Sequence, residues 1–227
     1  MEYKRALLMS EAASEHAFTS LVLGTRNARK LREMAGLIAP PWEPKRRAAG
    51  LAVRSLLDFE EAAAPDVVED AADFAGNARK KASETARALG SWVLADDSGL
   101  AVDALGGAPG VLSARYAGRH GDDEANNRKL IAALRDVPDV DRGAAYVCVL
   151  ALADPSGAIR VETEGRCRGR IAHAPRGSNG FGYDPYFVIP EYHQTYGELS
   201  PLVKARLSHR ARAFEHLRIP LERLLTC

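Results

Sequence analysis

Apolar residues first group at Leu21–Gly24, just before Thr25-Arg26-Asn27, and then recur at Leu31, Met34, Ala35 and Ile38. The first cluster has strand character and the second has helical spacing, which Pro40-Pro41 brings to an end. A strand followed at once by a helix opens an α/β unit. Phe74–Leu89 is rich in Ala and Lys, lacks Pro and runs into Gly90, so the pattern predicts a helix that this glycine closes. Trp92–Ala95 reads as a buried strand whose end carries Asp96-Asp97-Ser98-Gly99, and Gly106–Gly110 reads as a loop. A second helix is predicted from Asp122 to Leu134, capped by Asp122 or Asp123. Tyr146–Ala153 and Ile159–Cys167 flank Asp154-Pro155-Ser156-Gly157 and predict a hairpin. Ser200–Leu225 is expected to be mostly helical, with Arg and Lys on one face. Both kinds of strand connection occur, so the fold class is α/β, with a mixed central sheet flanked by helices. No repeat or long linker divides the chain, so residues 20–227 are expected to form a single domain. Residues 1–19 read as a flexible N-terminal extension.

Composition adds three constraints. Of 227 residues, 46% are hydrophobic, but 39 are Ala, so close helix packing through small side chains is expected. Lys and Arg number 31 against 30 Asp and Glu, a net charge of +1 that offers no broad basic surface for nucleic acid. The three cysteines, Cys148, Cys167 and Cys227, form no CxxC pair, which disfavours a disulfide framework or zinc site and fits a cytoplasmic protein. The apolar patch Ala6–Met9 is soon interrupted by Glu11 and Glu15, too short for a secretory signal. The Tyr146–Ala153 run is likewise too short to span a membrane.

Five polar segments, set among glycines or at element ends, carry the candidate chemistry. Thr25–Lys30 sits at a strand-to-helix junction, where free backbone N–H groups and Arg29 and Lys30 attract anions; a capping Asn with surface bases reads equally well. Asn77 and Lys81 are four apart on one helix face and can reach one ligand, although a solvated Lys-rich face is the blander alternative. Asp96 and Asp97 are adjacent carboxylates that need a cation or donors, and hard oxygen ligands suit Mg²⁺; local Asx-turn bonding is the competing account. Pro175–Pro185 holds three glycines within six residues, with Phe181 and Tyr183 to stack on a planar ring and Asp184 to accept from ring N–H groups, or is simply a glycine-rich loop. Lys204 and Ser208 share a helix face with His209 and Arg210 beside them. Adjacent residues on a helix diverge too far for Ser208 and His209 to form a hydrolytic triad. The acidic run Asp58, Glu60, Glu61, Asp66, Glu69, Asp70 and Asp73 reads first as a solvated loop. Together, bases and a helix terminus for phosphates, carboxylates for Mg²⁺ and aromatics for a base describe a nucleotide site.

In this order the five segments resemble the inosine triphosphate pyrophosphatase family. ADDSGLAVDALGGAPGVLSARYAG, PRGSNGFGYDP and a downstream SHR carry the resemblance, which runs from about Leu21 into the final helix. It implies two lobes with a substrate cleft between them, a homodimer and dependence on Mg²⁺, while the balanced charge and short apolar runs speak for no nucleic-acid and no membrane partner. It also implies hydrolysis of deaminated purine nucleoside triphosphates (ITP, dITP, XTP) to monophosphate and pyrophosphate, with water attacking the α-phosphorus. By position, Asp97 matches the catalytic carboxylate, general base and Mg²⁺ ligand, and Glu69 a second metal-associated acid. Thr25, Arg26, Asn27, Ala28, Arg29 and Lys30 match the triphosphate loop, Lys81 a further phosphate contact and Ser98 a substrate-binding serine. Phe181, Gly182, Tyr183, Asp184, Lys204, His209 and Arg210 match positions around base and sugar, with His209 and Arg210 as candidate donors to O6 of the purine. Arg26 replaces a small residue, Leu112 a tyrosine, and Tyr196-Gly197 small or apolar residues. Two other readings are a related pyrophosphatase for modified pyrimidines and a non-catalytic nucleotide-binding module.

Overall fold

The computed structural model describes residues 20–38, 51–60 and 63–225. The expected extension at 1–19, the Pro40-Pro41 helix stop, Glu61 and Cys227 lie outside them. Seven strands form one sheet: β1 (Ser20–Leu23), β2 (Ala52–Ser55), β3 (Trp92–Val102), β4 (Gly143–Ala153), β5 (Ile159–Ile171), β6 (Phe187–Ile189) and β7 (Gln194–Thr195). Their order is β2-β1-β3-β4-β5-β6-β7. β1 runs parallel to β2 and β3, and every other pairing is antiparallel. Helices α1 (Ala28–Ile38), α2 (Phe74–Leu89), α3 (Asp123–Ala133), α4 (Pro201–Leu207) and α5 (His209–Leu225) complete the mixed α/β fold.

The central strand β4 is buried along nearly its whole length because both of its faces are covered. Val149, Ala151 and Ala153 face Ala78, Ala82 and Ala86, a stripe of alanines at i, i+4 and i+8 on α2. Cys148, Leu150 and Leu152 face Met34 of α1 and Ala213, Phe214 and Leu217 of α5. The alanine content thus does what composition suggested and lets α2 lie close on the sheet. α5 lies close too: a Cβ on Gly165 of β5 would fall 2.2 Å from the His209 carbonyl oxygen and 2.3 Å from the Ala213 nitrogen.

α2 has the predicted bounds, with Asp73 accepting from Gly76 N at its start and Gly90 left-handed (φ 57°) at its end. Asp122 caps α3. Two expectations are corrected. Asp96 and Asp97 lie within β3, not at its end, because β4 is long enough to pair it from Val93 to Val102. The C-terminal region is two helices, not one: Ser208 is extended (ψ 160°), so Lys204 and Ser208 do not share a continuous helix face. The extended conformation at Asp97 and Ser98 also removes the Asx-turn account.

The length mismatch between β1 and β3 positions the site. β1 pairs only with Trp92–Leu94, so β3 runs past the end of its parallel neighbour and leaves an open edge from Ala95 onward. The crevice beyond the carboxyl end of such a strand is the ligand position of open α/β sheets.

Candidate active site

A cleft of about 590 Å³ opens at that crevice, within the range of small-molecule sites. Of the candidate residues, Thr25, Arg26, Asn27, Arg29, Lys30, Glu69, Lys81, Asp97, Ser98, Phe181, Gly182, Tyr183, Asp184, Lys204, His209 and Arg210 all line it. Ala28, Asn77, Asp96 and Ser208 do not.

The loop from β1 to α1 forms one wall. Thr25 Oγ1 accepts from Asn27 N at 3.1 Å, and Asn27 Oδ1 accepts from the N–H groups of Arg29 (2.9 Å) and Lys30 (3.2 Å). Asn27 is therefore a helix cap, and two of the donors expected to face an anion are taken by it. Arg26 donates to Ala64 O at 3.1 Å and ties this loop to the acidic strap of residues 63–73.

The acidic run that includes this strap is not simply solvated, because most of its described acids have assigned partners. Asp58 closes a capping box with Ser55, Asp73 caps α2, and Asp70 pairs with Lys80 at 2.7 Å. Glu69 pairs with Lys81 Nζ at 2.9 Å while its own carbonyl accepts from Arg115 at 2.9 Å. Across from it, Asp97 Oδ2 accepts from Asn77 Nδ2 at 3.1 Å, and Oδ1 lies 3.4 Å from Lys81. Asn77 and Lys81 do reach one group together, and that group is Asp97.

The two acids have opposed electrostatics. Burial pushes the Asp97 carboxyl above the ordinary carboxylate range, against the pull of Lys81 and Lys30 and with the charge of Glu69 adding to the rise. Burial also acts on Glu69, but Lys81, Lys30 and Arg115 overcome it and hold that carboxyl below the usual range. Two carboxylates pushed apart in this way are suited to different tasks, one as a fixed charge and one as a proton acceptor.

On the other face of β3, Asp96 anchors a buried ionic network. It contacts Lys30 at 3.2 Å and Arg210 at 3.1 Å, and these two cations, despite full burial, hold it far below the ordinary carboxylate range. Glu33 of α1 bonds both Arg210 and Lys204, and Lys204 also reaches Asp184 at 2.6 Å. Sequence reasoning missed Glu33, although it lies three residues from Lys30 on the same helix face.

The structure gives three of the expected base-side residues partners within the protein. Asp184 Oδ2 accepts from Lys204 and from the Phe181 N–H at 2.8 Å, so this oxygen shapes the loop. Tyr183 is buried, and its hydroxyl donates to Ser113 O at 2.8 Å, which leaves Phe181 as the aromatic ring for stacking. Arg210 donates through Nη1 to Glu33 and through Nη2 to Asp96 and Ser98 Oγ, so most of its guanidinium braces the floor, while its buried Nε has no hydrogen-bond partner in the protein. His209 stacks on Tyr146 with ring centroids 4.7 Å apart. Its pKa is driven well below that of ordinary imidazole by burial and by Arg210 and Lys204, so the ring is neutral; its buried Nδ1 has no hydrogen-bond partner in the protein.

Residues 21–219 match the model of the Ham1 family. A dITP/XTP pyrophosphatase of Rhodopirellula baltica is 56% identical over 205 residues, 90% of this chain and 92% of that protein. A HAM1 protein from Coxiella burnetii superposes with a TM-score of 0.77 at 38% identity, covering 90% of this chain and 98% of that one. The dITP/XTP pyrophosphatase structure from Mycobacterium abscessus gives 0.69 at 45% identity, over 87% and 98%. A family match over nearly the whole described fold, with relatives this similar across most of their length, places the chain in the Ham1 family.

Proposed function

We infer that this protein hydrolyses deaminated purine nucleoside triphosphates (ITP, dITP, XTP) to the monophosphate and pyrophosphate, removing them from the nucleotide pool. The observation that carries the reading is the pairing in one cleft of the Asp97 carboxyl, flanked by Glu69 and Lys81, with the Phe181 ring and the partnerless Nδ1 of His209. Relatives of this chain bear the name dITP/XTP pyrophosphatase.

Asp97 and Glu69 fit Mg²⁺ by donor chemistry: two hard oxygen donors converge on one ammonium, and Mg²⁺ is commonly held by one or two carboxylates plus substrate phosphates. Once bound there, Mg²⁺ would neutralise phosphate oxygens and strengthen the leaving group. The chain's own residues supply the rest. Asn77 engages Asp97 Oδ2, and Oδ1, whose contact with Lys81 is the longer one at 3.4 Å, accepts a proton from water attacking the α-phosphorus. Lys30 and Lys81 stabilise the charge that develops on pyrophosphate. His209, neutral and partnerless at Nδ1, is the candidate that reads the base edge. A donor aimed at O6 is left unpaired against adenine, which costs about 1–3 kcal/mol. The protein is further read as a cytoplasmic homodimer; none of the described helices is long and apolar enough to cross a membrane.

A panel of ITP, dITP, XTP, GTP and ATP with Mg²⁺ tests the function. Pyrophosphate release at least ten times faster from the first three is expected. Equal release from all five, or a preference for pyrimidine triphosphates, overturns it.

A further inference from the structure

One contact across the cleft mouth has no place in that mechanism. Asp123 opens α3 but does not cap it, since Asp122 already accepts from Ala125 N at 3.0 Å. The Asp123 carboxylate turns into the cleft, where Oδ2 accepts from Arg29 Nη1 at 2.7 Å and from the Gly182 N–H at 3.1 Å. Asn127, one turn further along α3, donates Nδ2 to Gly182 O at 2.9 Å. One helix thus grips both sides of a single glycine, whose φ of 62° puts it in the left-handed region. The Arg29 guanidinium, on the opposite rim, lies 5.8 Å from the centroid of the Phe181 ring. Arg29, Asp123 and Gly182 come from three distant stretches of chain, and all line the cleft.

We propose that Arg29 and Asp123 form a clasp over the base subsite. In it Asp123 is a positioning residue that fixes the Phe181–Gly182 loop, and Arg29 serves the base end of the nucleotide rather than its phosphates. The proposal deepens the nucleotide reading and rests on it. The position of Arg29 carries the argument: it reaches Asp123 and the Phe181 ring on the far rim of the cleft, whereas Lys30, its neighbour, reaches Asp96, next to Asp97 on β3. An ion pair whose side chains are 54% and 36% exposed contributes little to folding by itself. Holding the loop in place before a base arrives is a different contribution, because it removes an ordering cost from binding.

The test compares a ligand that has a base with one that has only phosphates. Arg29→Ala, Asp123→Asn and the double variant are assayed for KM and kcat with ITP and for inhibition by inorganic tripolyphosphate, with Lys30→Ala as the phosphate-side control. Asp123→Asn keeps an oxygen for the Gly182 N–H and lies on the surface, so the fold is preserved. Each single variant is expected to raise KM for ITP about 3–10-fold, with the change falling on KM more than on kcat. The double variant should be no worse than the poorer single, since both remove the same clasp. Tripolyphosphate inhibition should be the same in these three proteins as in the parent and weakened in Lys30→Ala. Equal weakening of ITP and tripolyphosphate by Arg29→Ala returns that residue to the phosphates and overturns the clasp. Additive effects, or an unchanged KM in both singles, overturn it as well. A parent that binds ITP without releasing pyrophosphate would defeat the functional reading alone, because the same comparison can be made on Kd by calorimetry.

Discussion

Asp97 joins two properties that oppose each other. Burial in the wall of the cleft lifts its pKa, which makes it a better proton acceptor near neutrality and a worse contributor to folding. A carboxyl whose folded pKa is raised adds no penalty below its unfolded pKa. Its ionisation opposes folding increasingly as pH climbs to the folded value, and fully above it. Asp97→Asn should therefore lose about 10²–10⁴-fold in kcat while showing an equal or higher Tm at neutral pH without Mg²⁺, read by calorimetry. A lower Tm would mean that the charge of Asp97 is needed to hold Lys81. In the parent without Mg²⁺, the Asp97 carboxyl should titrate above the ordinary carboxylate range, read as a ¹³C NMR shift that Asp97→Asn removes; a titration within the ordinary range would contradict it. Arg210 shows the reverse case, a side chain with functional looks and a structural task. Arg210→Ala leaves Asp96 and Glu33 with one cation fewer and should cost about 3–5 kcal/mol of stability in urea unfolding. A change confined to the ITP/ATP ratio, with stability intact, would instead restore it as the reader of O6.

Elements were legible in the sequence wherever one periodicity ran unbroken. α2 could be bounded at both ends because Asp73 and Gly90 punctuate an uninterrupted helical pattern. β3 could not be followed past Ala95, since Asp-Asp-Ser-Gly looks like a turn when β4, which pairs with all four residues, is out of view. The break between α4 and α5 was overlooked for a different reason: Ser208 is itself the capping signal, its Oγ accepting from Ala211 N in the extended conformation of an N-cap, but it sits inside one continuous helical pattern; beyond it α5 packs on β5. That packing is itself testable. A methyl group on Gly165 meets the backbone of His209 and Ala213, so Gly165→Ala should cost about 1–3 kcal/mol and raise KM for ITP as α5 is displaced. Tolerance of that substitution without loss would mean that α5 has room to shift without disturbing His209.

For the whole molecule, a parallel β1 that stops short beside a long β3 makes one open edge, and chemistry gathers there from α1, the acidic strap, α2, the glycine loop and α5. Motif order in the sequence was enough to name the participants because each motif occupies an element end or a loop at that edge. It was not enough to divide them between binding and bracing, because a buried cation is assigned by its neighbours in space. Lys204, Glu33, Arg210 and Asp96 interlock across residues 33 to 210, a distance that no local pattern spans. The most direct test of the account is ³¹P NMR of ITP incubated with Mg²⁺ and either the parent protein or Asp97→Asn. The account predicts inosine monophosphate and pyrophosphate in equal amounts from the parent, and intact ITP with the variant. Orthophosphate as the first product, or undiminished turnover by the variant, would contradict it.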